Sequence, residues 1–169
     1  MALDPGAGVP EFRAVPPVRL RVLVVEDAPL IRDRIVRLLG TMPAVAALSE
    51  AIAEAEALEK FSAQPADVVV LDVRLAQGSG VRVLEAVRRM RPEAVVAILT
   101  NFPYAIYRRR CMALGADFFL DKATDFERLR DVVAVAVARQ ARRVHAAANA
   151  GTTAPAGPGP GHPPRAPES

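Results

Sequence analysis

Five times between residues 19 and 148, a short run of β-branched and apolar residues gives way to a longer stretch whose apolar residues recur at helical spacing. The runs are Arg19–Val25 (RLRVLVV), a weaker Val45–Leu48, Asp67–Asp72 (DVVVLD), Ala94–Thr100 (AVVAILT) and a short Asp117–Asp121. The helical stretches are Leu30–Leu39, Ile52–Ala63, Val81–Met90, a segment opened by Pro103 and closed at Gly115, and Phe126–Ala147. A period of 2 and a period of 3.6 bury different faces, so the two patterns do not substitute for each other. Runs that are apolar at every position, such as VVVL, suit strands covered on both faces. The alternation predicts an α/β domain: a five-stranded parallel sheet, doubly wound, with helices on both faces. Right-handed crossovers then leave few topologies, and ligands belong beyond the carboxyl ends of the strands.

Proline and glycine set the limits of that domain. Of 15 Pro and 10 Gly, six fall in residues 1–18 and ten in 151–169, while the 132 residues between hold nine. Such ends bury too little apolar surface to offset the entropy of ordering. Residues 1–18 are therefore expected to be a disordered arm and 149–169 a disordered Ala/Pro/Gly-rich tail. Residues 19–148 form one domain with an extended last helix and leave no room for a second folded module. No apolar run nears the roughly 18 residues of a membrane span, and the start lacks the basic-then-apolar order of a secretion signal. A cytoplasmic protein that does not engage membranes is expected. A single cysteine, Cys111, excludes an internal disulfide and a thiolate zinc site, and two histidines, His162 among them in the tail, exclude a histidine metal cluster. The net charge is only +3. Arg108–Arg110 and Arg142–Arg143 carry no interleaved aromatic residues or nucleic-acid motif, so no nucleic-acid partner is expected.

Unusual chemistry collects at the strand ends. The first strand ends in Glu26-Asp27, the third in Asp72 and the fourth in Thr100, and the fifth is followed by Lys122. Three carboxylates on one edge repel one another and need a counter-charge. A hard divalent cation held by oxygen ligands supplies it, and Mg²⁺ in such a site retains waters that a phosphate oxygen can replace. With the Lys122 ammonium and the Thr100 hydroxyl, the set describes a carboxylate that accepts a phosphoryl group.

These residues carry a family resemblance. The segments VLVVEDAPLIRDRIVRLL, DVVVLDVRLAQGSGVRVLEAVR and AILTNFPYAIYRRRCMALGADFFLDK resemble the receiver domain of bacterial two-component response regulators. The resemblance extends from Arg19 to Val137. It implies a flavodoxin-like (βα)5 fold with strand order 2-1-3-4-5. It implies Asp72 as phosphoacceptor, with Asp27, Asp72 and the Arg74 main-chain carbonyl holding Mg²⁺ (or Mn²⁺) and Glu26 acting mainly through a bound water. Lys122 would pair first with Asp72 and then with a phosphoryl oxygen. Thr100 would swing toward that group, and Phe119, three residues before the lysine, would turn inward once Thr100 has moved. The implied phosphodonor is a histidine kinase or a histidine phosphotransfer protein. The output would be contacts with a downstream protein through the last two helices and last strand, from a stand-alone regulator with no folded effector of its own. Such a protein is not an enzyme in the turnover sense; transfer to and hydrolysis from its own Asp72 are self-catalysed.

Several positions depart from the family pattern. Ala123 replaces the proline that usually follows the lysine, which implies a trans peptide with a looser loop or a strained cis bond. Ala76 replaces a proline four residues after Asp72, which would loosen the 73–80 loop. Asn101 stands where a small residue is usual, and Arg74 and Phe102 occupy positions that tune hydrolysis. Phe126, Val133, Val137, Gln140 and Val144 recur at intervals close to 3.5 and would suit a short homodimer seam, interrupted by Arg130. Two other readings compete: an Asp-nucleophile phosphatase, which would want a second acid where Arg74 stands, and a degenerate receiver serving as an interaction scaffold, which the five filled site positions disfavour.

Overall fold

The computed structural model describes residues 17–150, with side chains through residue 147. Apart from residues 17, 18, 149 and 150, the expected arm at 1–18 and tail at 149–169 lie outside the described residues. Five strands alternate with five helices: β1 (Leu20–Val25), α1 (Pro29–Gly40), β2 (Val45–Ala51), α2 (Glu54–Ala63), β3 (Val68–Leu71), α3 (Gly80–Met90), β4 (Val95–Thr100), α4 (Ala105–Ala113), β5 (Phe118–Asp121) and α5 (Leu129–Ala150). All four strand pairings are parallel, in the order β2-β1-β3-β4-β5. The fold is the flavodoxin-like one, with the chain reversing its direction of winding between β1 and β3.

The period of 2 sorts the core into two layers. Leu23, Val25, Val69, Leu71, Val96 and Ile98 face one side, against Phe61 of α2, Val83, Leu84 and Val87 of α3, and Cys111 of α4. Their neighbours Val22, Val24, Val68, Val70, Val95, Ala97 and Leu99 face the other, against Ile35 and Leu39 of α1 and Leu129, Val132 and Ala136 of α5. Every residue of β3 and β4 is buried, which is why those strands lack polar alternation. The edge strand β2 is largely exposed. It runs three residues beyond the expected Leu48, because Ser49, Glu50 and Ala51 pair with Leu23, Val24 and Val25 despite their weak apolar signal.

Other boundaries move slightly. The α2 helix starts at Glu54 rather than Ile52, and α4 starts at Ala105 rather than Pro103. Phe126 opens a 3-10 turn, Phe126–Arg128, before α5 begins. That turn and α5 draw the first part of the expected dimer seam into the core. Phe126 and Val133 are each only 4% exposed and pack into the layer shared with β1, β3 and β4. The first half of the seam is thus used up inside the protomer, leaving Val144 exposed on the distal part. No helix among the described residues is long and apolar enough to cross a membrane.

Two glycines bind the sheet to the loop after β3. A Cβ on Gly80 would stand 1.8 Å from the Asp72 carbonyl oxygen, so α3 can begin against the strand end only with glycine there. Gly78 has φ +94° and lies against Glu54, where a Cβ would come within 2.3 Å of the Glu54 Cβ. The Glu54 carboxylate in turn accepts the Ser79 N–H at 2.8 Å. The start of α2 therefore fixes the 73–80 loop from the side.

Candidate functional site

Parallel strands bring their carboxyl ends to one edge, and there β1, β3, β4 and β5 open onto a cleft of about 320 Å³. Glu26 and Asp27 follow β1, Asp72 and Arg74 follow β3, Asn101 and Phe102 follow β4, and Lys122 follows β5; all seven line it. Carboxylate oxygens of Glu26, Asp27 and Asp72 lie within 4.8 Å of one another. The sequence-predicted acids, Arg74 and Lys122 are thus brought together.

Lys122 ties the cluster. Its Nζ stands 2.6 Å from both Asp72 Oδ2 and Glu26 Oε2, and it donates a hydrogen bond to Asp72. The buried Glu26 Oε2 has the Lys122 ammonium as its ion-pair partner. Glu26 Oε1 accepts the Ala28 N–H at 3.1 Å, and Asp72 Oδ1 accepts the Arg74 N–H at 3.2 Å. Burial holds the Glu26 carboxyl above its ordinary range; the Lys122 ammonium pulls it back only in part, and the charge on Asp72 adds to the rise. Burial also opposes the Lys122 ammonium, but hydrogen bonding and charge from Asp72 and Glu26 outweigh it and raise its pKa.

Three carboxylates stand against one ammonium, a set short of positive charge. The oxygen donor set and that shortfall fit a hard divalent cation, which takes oxygen ligands.

Thr100 does not line the cleft. It is fully buried at the end of β4, and its hydroxyl accepts the Phe102 N–H at 3.2 Å. Its carbonyl accepts the Lys122 N–H at 3.0 Å, which couples the ends of β4 and β5. Phe119 lies away from the cleft, 4% exposed in the core layer that holds Cys111. The Arg108 guanidinium covers its ring at 4.8 Å. That core layer gives the ring an apolar seat.

The loops are tighter than the sequence implies. No cis peptide occurs among the described residues, so Lys122–Ala123 is trans. The turn after it is not loose: Asp121 Oδ1 accepts the Ala123 N–H at 2.8 Å, Asp125 Oδ2 accepts the Asp121 N–H at 3.1 Å, and the Asp121 carbonyl accepts the Asp125 N–H at 2.9 Å. The loop after β3 is likewise held. The Ala76 N–H donates to Asp27 Oδ2 at 2.7 Å, a bond that proline cannot make. Sequence reasoning registered Ala76 as a lost restraint and missed the donor gained. It also missed Arg32, whose Nη1 donates to the Glu26 carbonyl at 3.0 Å while its Nε donates to Glu50 at 2.9 Å. Phe102 forms one wall, with the Arg74 guanidinium 4.5 Å over its ring.

Comparisons with known proteins agree with this geometry. A family model described as the response regulator receiver domain matches residues 22–134. The response regulator protein PilR of Pseudomonas aeruginosa is 31% identical over 119 residues, which are 70% of this chain and 26% of PilR. The transcriptional regulatory protein NarL of Mycobacterium tuberculosis is 34% identical over 124 residues, 73% of this chain and 57% of NarL. The chain therefore spans a quarter to somewhat over half the length of these curated relatives. Among solved structures, the signal receiver domain of the Mycobacterium tuberculosis response regulator NarL superposes with a TM-score of 0.63 at 31% identity, covering 71% of this chain and 98% of that one. A CheY-like receiver domain protein from Methanospirillum hungatei gives 0.67 at 20% identity, covering 75% and 98%, a likeness of fold.

Proposed function

The chain belongs to the response regulator receiver domain family, and from that premise we propose that it is a phosphoacceptor of a two-component or phosphorelay system, with Asp72 as the residue modified. The observation that carries the proposal is the Lys122 ammonium set 2.6 Å from Asp72 Oδ2, beside two further carboxylates at the ends of parallel strands. A strand-end cap needs no buried lysine; a carboxylate that is to receive negative oxygen atoms does.

In the proposed reaction an Asp72 carboxylate oxygen attacks the phosphorus of a phosphohistidine on a kinase or phosphotransfer protein. A P–O bond forms as the P–N bond breaks, and the electron pair leaves with the imidazole nitrogen. Such transfers depend on alignment and charge stabilisation more than on covalent help from the protein. Asp27, Asp72 and the Arg74 carbonyl would hold Mg²⁺ (or Mn²⁺), with Glu26 acting through a water. When bound, the cation neutralises charge on the transferred oxygens. Lys122 exchanges its hydrogen bond to Asp72 for one to a phosphoryl oxygen. The Thr100 hydroxyl trades the Phe102 N–H for the same group. That exchange frees the Phe102 backbone and shifts the surface of α4, β5 and α5, read by a partner protein in the cytoplasm. Phe119 and Arg108, already packed together, transmit the shift. Transfer and hydrolysis both occur on the chain's own aspartate.

The test is incubation with acetyl phosphate and Mg²⁺, followed by intact mass. The wild type gains one phosphoryl group and Asp72→Asn gains none. Absence of gain from acetyl phosphate and from phosphorylated histidine kinases would overturn the proposal in favour of a binding scaffold.

A further inference from the structure

A second cleft, of about 300 Å³, lies between the loop after β3 and helix α4. It shares Arg74 and Leu75 with the cleft over Asp72, and its other lining residues are its own. Val73 and Val81 contribute apolar wall, and the remaining wall includes Arg74, Arg82, Arg110 and Tyr107. No carboxylate lines it among the described residues. The nearest, Glu54, approaches Arg82 only to 3.9 Å and is already accepting the Ser79 N–H. Several arginines in other clefts are matched: Arg88 and Arg139 meet Asp117, and Arg91 meets Asp67. Here three guanidinium groups border one small space with no counter-charge inside it.

The aromatic residues absent from the arginine triplet in sequence are supplied by the fold. Arg74 stacks on Phe102, Phe102 approaches Tyr104 with ring centroids 6.2 Å apart, and Tyr104 approaches Tyr107 at 6.3 Å. Tyr104 is 60% exposed, so this ladder presents a free ring edge or face beside the cleft. Stacking on Phe102 restrains the Arg74 head group, which reduces the entropy lost when it pairs with an anion. Guanidinium forks match phosphate oxygens in pairs. The cleft volume is at the lower end of small-molecule sites, which combine apolar walls with a few fixed polar groups.

We propose that this cleft binds the polyphosphate of a nucleoside di- or triphosphate, with the base against the Tyr104–Tyr107 ladder. Three arginines lining one cleft call for more than one anionic group, which a polyphosphate concentrates in a small volume. The adjacent aromatic rings accommodate a planar base. The site includes neither the three carboxylates nor Lys122, so the proposal does not rest on phosphoryl transfer to Asp72.

Calorimetric titration of the full chain with ADP and with inorganic pyrophosphate, in EDTA, tests it. Both bind at one site, ADP more tightly. Arg82→Ala and Arg110→Ala each weaken both ligands about tenfold, in line with the loss of a charge-assisted hydrogen bond. Arg110→Lys, which keeps the charge but loses the fork, weakens them less. Arg142→Ala, an equal charge change on a remote part of α5, leaves binding unchanged. All three positions are exposed, so circular dichroism should stay that of the wild type. Absence of heat with both ligands, or equal weakening by Arg142→Ala, would overturn the proposal. Binding of a glutamate-rich peptide without binding of ADP would overturn it too, in favour of an acidic protein partner.

Discussion

At the scale of the residue, Glu26 sets the balance between stability and function. Its folded-state pKa lies above its ordinary 4.5 through burial, so the folded chain holds that proton more tightly than the unfolded chain. The stability this contributes is present below pH 4.5 and is lost as pH rises through the folded-state value. Once the folded-state carboxyl ionises without divalent metal, its charge is a net cost. Glu26→Gln is therefore expected to raise the urea midpoint at pH 7 and to change it little at pH 4. Added Mg²⁺ should raise the wild-type midpoint more than that of the variant, since a ligand of the folded state stabilises in proportion to its binding. Lys122 acts at the other end of the scale: its raised pKa gives stability that is present below 10.5 and lost above it. Phe102, under the Arg74 guanidinium, walls the cleft against water. Phe102→Ala is expected to shorten the lifetime of phosphorylated Asp72 several-fold, followed as loss of phosphate by mass; an unchanged lifetime would show that the ring does not shield it. The acids and the lysine were legible in the sequence because each ends an apolar run. The Ala76 N–H was not, because a backbone donor leaves no mark beyond the absence of proline.

At the scale of the element, α5 divides into two parts that its sequence does not distinguish. Leu129 and Val132 are completely buried, and Val133 and Ala136 nearly so, while Val144 is 40% exposed. The alanine and valine spacing continues along both parts, so pattern alone merged them into one seam. What separates them is the length of the sheet: the helix outruns the strands it covers. Leu129→Ala should cost about 2–5 kcal/mol in urea unfolding, the usual result of emptying a core leucine site. Val144→Ala should stay within about 0.5 kcal/mol. Comparable losses at both positions would mean that the distal part of α5 is also packed. β2 shows the converse limit. Its exposed residues are Ala46, Ala47, Ser49 and Glu50, and only its pairing with β1 reveals that it extends to Ala51.

At the scale of the molecule, the alternation of strand and helix was enough to place five chemically distinct residues near one another across almost a hundred positions of chain. Parallel strands all end on the same edge, so any residue following a strand joins the same neighbourhood. Distances within that neighbourhood could not be read the same way. Thr100 is beneath the cleft rather than in it, and Phe119 is in the core, because side-chain facing depends on one residue of register. The second cleft was also invisible in the sequence, since Arg74, Arg82 and Arg110 come from three separate elements. The central claim is that Asp72, among three neighbouring carboxylates, takes the phosphoryl group. Borohydride reduction after exposure to acetyl phosphate and Mg²⁺, followed by peptide mapping, reads this directly, because it converts an aspartyl phosphate to homoserine. Homoserine at position 72, dependent on Mg²⁺ and absent without phosphodonor, is the predicted result. Homoserine at Asp27, the reduced glutamyl product at Glu26, or no conversion at all would contradict it.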